Sequence, residues 1–166
     1  DEFCIDRTEV TLADYREWID SQPFDAGSTT RAGLSGTPNS DSEANGSLMR
    51  VSPIGIWAAG DPERAARAAS EDSALTHPNP VCVAACAGYA AAIAAGVAGG
   101  GIAAMVEAAL SFASGAARTA IEAGAGGERP RDYESKMGWV LVALQNAFCQ
   151  LAHASTLEEG VVATVG

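Results

Sequence analysis

From Ser73 to Val106 the chain carries no Asp, Glu, Lys or Arg. A stretch that long without a charge is either a membrane span or the inside of a packed protein. Its content separates the two. Ala and Gly dominate, Pro78 and Pro80 stand at the front, and Gly99-Gly100-Gly101 interrupts the far end. Such small side chains give lipid little to touch, but they let neighbouring helices close in on every side. The sequence therefore predicts a central helix from about Pro80 to Val97, with no membrane as partner.

The rest of the chain reads as helices arranged around that one. Leu12, Tyr15, Trp18 and Ile19 follow helical spacing from Thr11, a suitable N-cap, to Ser21, and Pro23 ends the run. Residues 25–47 are rich in Gly, Ser, Thr, Asn and Asp and read as one long loop; a loop of that length inside a compact domain is usually either disordered or functional, and the Asn45–Arg50 segment at its end favours function. Leu48 to Ala59 turns apolar and predicts a buried helix with Pro53 near its first turn, where proline is best tolerated. Asp61-Pro62-Glu63 is a start signal, an N-cap acid before a proline, for a helix to about Ser70.

A further helix is expected over 102–123, bent near Ser114-Gly115, and Gly124 to Pro130 form a turn. Tyr133 to Ala152 predicts an amphipathic helix with Met137, Leu141, Leu144, Phe148 and Leu151 on one face. Ser155 with Glu158, or Thr156 with Glu159, makes a capping box for a last short helix that reaches Val165. Nothing alternates as a strand does, and there is no internal repeat or coiled-coil heptad. The fold class is all-α, in a single domain over residues 1–166.

Charge narrows the partners. The chain's net charge is −11, from 21 acidic against 10 basic residues, and no window gathers Lys or Arg, so nucleic acid is not an expected partner. The acidity lies mainly before residue 76 and suits a solvated surface. Cysteines at 4, 82, 86 and 149 show no disulfide framework of the small secreted kind, which points to reduced thiols and a cytoplasmic location. Cys82 and Cys86 share a helical face, yet no second Cys or His pair stands at ligand spacing, so they read as small buried hydrophobes rather than as a zinc site.

Two short segments carry the chemistry. Asn45-Gly46-Ser47-Leu48-Met49-Arg50 offers a side-chain amide beside a glycine with bare backbone N–H groups, which suits phosphate and ribose oxygens. Ser73-Ala74-Leu75-Thr76-His77-Pro78 brings an imidazole that can donate or accept. By residue type alone, Asn45 also suits a helix N-cap and His77 a loop histidine capping the helix that begins near Pro80. Arg50 reads as a structural partner for a nearby carboxylate.

In this order, these segments resemble the ADP-ribosylglycohydrolase family. Similar stretches extend the likeness along nearly the whole chain: Pro23 to Arg31 as an approach segment, Asn45 to Ile56 as the substrate loop, and Ser73 to Pro80 as the histidine segment. Gly138 to Leu144 followed by Leu157 to Val162 is similar to the helix pair near the family's C-terminal metal motif. The resemblance implies an orthogonal multi-helix bundle whose cleft binds ADP-ribose, or an ADP-ribosylated protein, beside two divalent metals, Mg2+ or Mn2+. It implies that Asp41, Ser42, Glu43, Ala44, Asn45, Gly46 and Ser47 line that cleft, with His77 reaching the same ligand. The implied activity is hydrolysis of the glycosidic bond between ADP-ribose and a modified side chain.

The metal-binding half of the resemblance is missing. The family holds its metals with a Thr-Asp-Asp-Thr segment near the N-terminus and an Asp-x-Asp-Thr segment after a Gly-Gly pair near the C-terminus, both hard-oxygen ligand sets. The adjacent acidic pairs here, Asp1-Glu2, Glu71-Asp72 and Glu158-Glu159, have neither pattern. The expectation is an internal fragment of a longer glycohydrolase, incomplete at both ends and inactive alone. An ADP-ribose-binding module without catalysis, or a structural helical protein of the same fold, are the rival readings.

Overall fold

A computed structural model describes residues 27–165, preceded by two isolated helical positions, Ala13 and Glu17. The expected helix over Thr11–Ser21 otherwise lies outside the described residues. Ten helices make up the described part: α1 (Ser28–Leu34), α2 (Gly46–Arg50), α3 (Ser52–Trp57), α4 (Pro62–Thr76), α5 (Pro80–Val97), α6 (Ile102–Phe112), α7 (Gly115–Ala125), α8 (Tyr133–Lys136), α9 (Val140–His153) and α10 (Leu157–Val165). Among the described residues there is no strand, and the fold is all-α as read from the sequence.

The charge-free helix is the hub. Pro80 opens α5, and the Asn79 side chain accepts the Val81 N–H at 2.9 Å, satisfying one of the free donors at the helix start. Consecutive positions Ala85, Cys86, Ala87 and Gly88, and again Ala90, Ala91 and Ala92, are buried, so more than one face is covered. Helices α2, α3, α4, α6, α7 and α9 all pack on it. By length and composition α5 is the one described helix able to cross a membrane; here its neighbours are protein. Small residues permit the approach. A Cβ on Gly55 of α3 would stand 2.6 Å from the Ile93 Cβ, and one on Gly88 would stand 2.9 Å from the Ala113 Cβ. The large buried side chains, Phe148, Ile121, Leu144, Val51 and Val140, come from the surrounding elements. Each contributes about 1.5–3 kcal/mol of burial.

Several elements differ from the sequence reading. The segment expected to be a long loop over 25–47 contains α1, whose Ser28-Thr29-Thr30 start has little helix propensity. Tertiary packing holds it instead: Leu34 is buried, and Gly33 lies so close to α4 that a Cβ would fall 2.5 Å from the Thr76 Cα. The helix expected over Leu48–Ala59 is two helices, α2 and α3, with Val51 fully buried at their corner. Pro53 has no N–H to continue the ladder of α2, which is why the break falls there. Helix α4 runs past Ser70 to Thr76 because nothing breaks it before Pro78. His77, the residue before that proline, leaves helical geometry at φ −128°, ψ 70°. Its start is as read, with the Asp61 carboxylate accepting the Arg64 N–H at 3.0 Å.

The bend expected near Ser114-Gly115 is a full break. Ala113 and Ser114 are extended and Gly115 has φ +53°. The helix expected over Tyr133–Ala152 is likewise divided into α8 and α9. Met137, placed by periodicity on the apolar face with Leu144 and Phe148, is half exposed while those two are buried. At the last helix the Thr156 and Glu159 pair is used. Thr156 Oγ1 accepts the Glu159 N–H at 3.1 Å, and Glu159 Oε2 accepts the Ser155 N–H at 2.8 Å, one residue earlier than in a standard capping box.

Candidate functional site

The break between α8 and α9 is where the polar loop docks. Ala44 and Trp139 form an isolated antiparallel bridge, in which the Asn45 N–H donates to the Gly138 carbonyl and the Val140 N–H to the Glu43 carbonyl, each at 2.9 Å. The Asn45 side chain adds a third tie, Nδ2 donating to the Met137 carbonyl at 3.0 Å. Asn45 therefore precedes α2 without capping it by its side chain. Upstream, the Asp41 N–H donates to Asn39 Oδ1 at 2.9 Å, and Ser42 Oγ lies 3.2 Å from Thr29 Oγ1. Asp41 is exposed, Ser42 through Gly46 are partly exposed, and Ser47 is buried.

Ser47 faces inward. Its hydroxyl accepts from Ser73 Oγ at 2.9 Å and from the Cys86 thiol at 3.4 Å. The Cys82 thiol reaches the Ser42 and Ala44 carbonyls at 3.5 Å. Burial pushes the Cys82 thiol up to about 11, helped by the neighbouring Cys86 and by Glu43, and burial also raises Cys86. Both stay protonated and serve as small packing groups that hold the loop on α5.

His77 is fully buried at the C-cap of α4, directly behind the loop. Its ring lies against Gly46: a Cβ there would stand 2.9 Å from both Cε1 and Nε2 of the imidazole. Nδ1 is 2.7 Å from Thr76 Oγ1, while Nε2 has no hydrogen-bond partner. Burial, with the Arg50 charge acting in the same sense, lowers the His77 pKa to about 4, so the ring is neutral near pH 7. The structure thus brings His77 to Gly46, as the two segments anticipated, but from a helix end and from inside the protein rather than from an exposed loop. Glu43 through Asn45 instead meet residues 137–140.

Arg50 links these parts. Its Nε and Nη2 donate to the Asp72 carboxylate and carbonyl at 2.8 and 2.7 Å, and Nη1 donates to Thr76 Oγ1 at 2.8 Å. The carboxylate partner anticipated for Arg50 is Asp72. Sequence reasoning missed the Thr76 contact and the docking of the loop on Met137–Trp139; Gly138 inside an otherwise apolar helical run was the available signal. Trp139 is half exposed there, with Lys136 Nζ 5.0 Å from its ring centroid.

A family model for ADP-ribosylglycohydrolase matches residues 4–166. The chain belongs to the ADP-ribosylglycohydrolase family. No curated protein and no solved structure matches it. An ADP-ribosylglycohydrolase of this family is expected to use divalent metals, and the described residues do not fit that requirement. Among them no three His, Cys, Asp or Glu side chains gather, Asp72 is engaged by Arg50, and the thiols of Cys82 and Cys86 are protonated. A cavity of about 640 Å³ lies beside the docked loop, lined in part by Arg129, Tyr133, Met137, Asn146 and Thr164. Neither the loop nor His77 lines it.

Proposed function

We propose that this ADP-ribosylglycohydrolase chain binds ADP-ribose attached to a protein side chain, with Asp41 through Gly46 at the ligand and the buried Ser47 and His77 behind them, in an enzyme class that hydrolyses that glycosidic bond. The family match over residues 4–166 carries the reading. The geometry supports it in one respect: a partly exposed polar loop is held rigidly by backbone bonds to residues 138–140, with an unspent imidazole nitrogen packed against its glycine. Rigid polar edges of this kind suit the hydroxyl and phosphate oxygens of a nucleotide sugar. Cleavage of the bond builds positive charge on the ribose and requires an activated water, which divalent metals supply in this family.

The described residues offer no ligand set for such metals, and this supports a narrower proposal, that the 166 residues bind ADP-ribose without releasing it from protein. The free buried thiols of Cys82, Cys86 and Cys149 support a reducing, cytoplasmic setting. Calorimetry with ADP-ribose in the presence of a chelator tests binding. Release of ADP-ribose from a modified protein with added Mg2+ or Mn2+ tests turnover. Binding without release is the expected pair of results. Turnover by the purified chain overturns the inactivity, and absence of binding favours a structural helical protein.

A further inference from the structure

The Thr76 hydroxyl has one proton, and its surroundings fix where that proton goes. Arg50 Nη1 donates to Thr76 Oγ1 at 2.8 Å, and a guanidinium can only donate. The hydroxyl proton must then find an acceptor. The Asp72 carbonyl, one helical turn back, receives Arg50 Nη2 at 2.7 Å and forms no hydrogen bond with the Thr76 hydroxyl; the acceptor that hydroxyl meets is His77 Nδ1 at 2.7 Å. Nδ1 is therefore the acceptor nitrogen. A neutral imidazole whose Nδ1 is bare carries its proton on Nε2. That N–H is the buried donor left without a partner, and it faces Gly46. Buried donors are nearly always paired, and one left open destabilises the fold unless something outside the chain completes it.

We propose that Arg50 is a positioning residue: through the Thr76 hydroxyl it holds His77 in the Nε2-protonated form, so that the protein meets an oxygen of its ligand at Gly46 as a hydrogen-bond donor. A ligand oxygen, a ribose hydroxyl or a phosphate of ADP-ribose, reaches the buried Nε2 only where the Gly46 turn gives way, and that step rests on the proposed function; the protonation pattern rests on hydrogen-bond geometry alone. Arg50 itself need not touch the ligand. Asp72 fixes the guanidinium, with Nε 2.8 Å from Oδ2, so the chain of contacts runs Asp72, Arg50, Thr76, His77.

Nitrogen-15 NMR of the whole chain reads the pattern directly, because a fully buried ring N–H exchanges slowly. The expected spectrum has the proton on Nε2 and a bare, hydrogen-bonded Nδ1; a proton on Nδ1 overturns the proposal in the wild-type chain, with no variant needed. Arg50→Lys keeps a positive charge near Asp72 but loses the planar fork that reaches Thr76. In it, the Nδ1-protonated form appears and ADP-ribose affinity falls about tenfold, the worth of one hydrogen bond. Thr76→Ser keeps both properties as in wild type. An Arg50→Lys chain with the wild-type nitrogen pattern overturns the role of Arg50. Addition of ADP-ribose is expected to shift the Nε2–H resonance. Bound ADP-ribose that leaves it unmoved overturns the donor role, whereas failure of ADP-ribose to bind by calorimetry overturns the proposed function and leaves the nitrogen pattern standing.

Discussion

Adding one methyl group at Gly46 tests the closest contact of the site. In Gly46→Ala the new Cβ would lie 2.9 Å from His77 Cε1 and Nε2 and 3.2 Å from Thr30 Oγ1. Carbon atoms pack at about 3.5–4.0 Å, so the ring or the loop must move by roughly half an ångström or more. Neither moves freely. His77 is fully buried and hydrogen-bonded to Thr76, and the loop is tied to Gly138 and Val140 by two backbone bonds. Overpacking of this kind costs about 1–3 kcal/mol. Against it stands a gain of about 0.4–1 kcal/mol from the stiffer unfolded chain, since Gly46 is not among the positive-φ glycines. At the middle of both ranges the balance is a loss of about 1.3 kcal/mol, or a fall in Tm of roughly 3–5 °C for a chain of this size. Thermal unfolding followed by circular dichroism measures it. Gly138→Ala is the control, because a Cβ there meets nothing within 4 Å. A Gly46→Ala chain as stable as the control, with His77 ring resonances unshifted, refutes the packing of His77 on Gly46.

Other outcomes follow from single contacts. Phe148→Ala removes one of the largest fully buried side chains and is expected to cost about 3–5 kcal/mol in urea unfolding. Asp61→Ala loses the carboxylate that accepts the Arg64 N–H and should cost about 1 kcal/mol, while Asp61→Asn costs little; the same unfolding curves compare them. For Asn45→Ala, loss of the bond to the Met137 carbonyl predicts a fall of about 1 kcal/mol, measured by the same method. The His77 pKa lies below its unfolded value, at about 4, so the unfolded chain takes up the proton first on acidification. The stability this contributes is full above pH about 6.5 and is lost as pH falls toward 4, at up to about 1.4 kcal/mol per pH unit. Proton NMR of the His77 ring should show no titration between pH 8 and 6, and a midpoint near 6.5 would remove the burial argument.

How far the sequence reached depends on which force set each element. The charge-free stretch determined α5 in full, bounds included, because proline and glycine at its ends and small residues within it act locally. Asp61-Pro62 fixed the start of α4 for the same reason, and the apolar spacing of Leu144 and Phe148 identified the face of α9 that is buried. The two polar segments were also legible as a pair meeting at one place, Gly46 against His77. What the sequence left open was decided by packing between distant residues. Helix α1 exists because Gly33 and Leu34 find α4 and the core, although Ser28-Thr29-Thr30 does not favour a helix. The break at residues 137–139 exists because the loop at 43–45 takes the backbone bonds of residues 138 and 140, contacts that span more than ninety positions and leave no local mark. The same holds for His77. Its residue type announced a group that can donate or accept; its burial, its neutral state and the bare Nδ1 that follows from Arg50 and Thr76 belong to the tertiary structure alone.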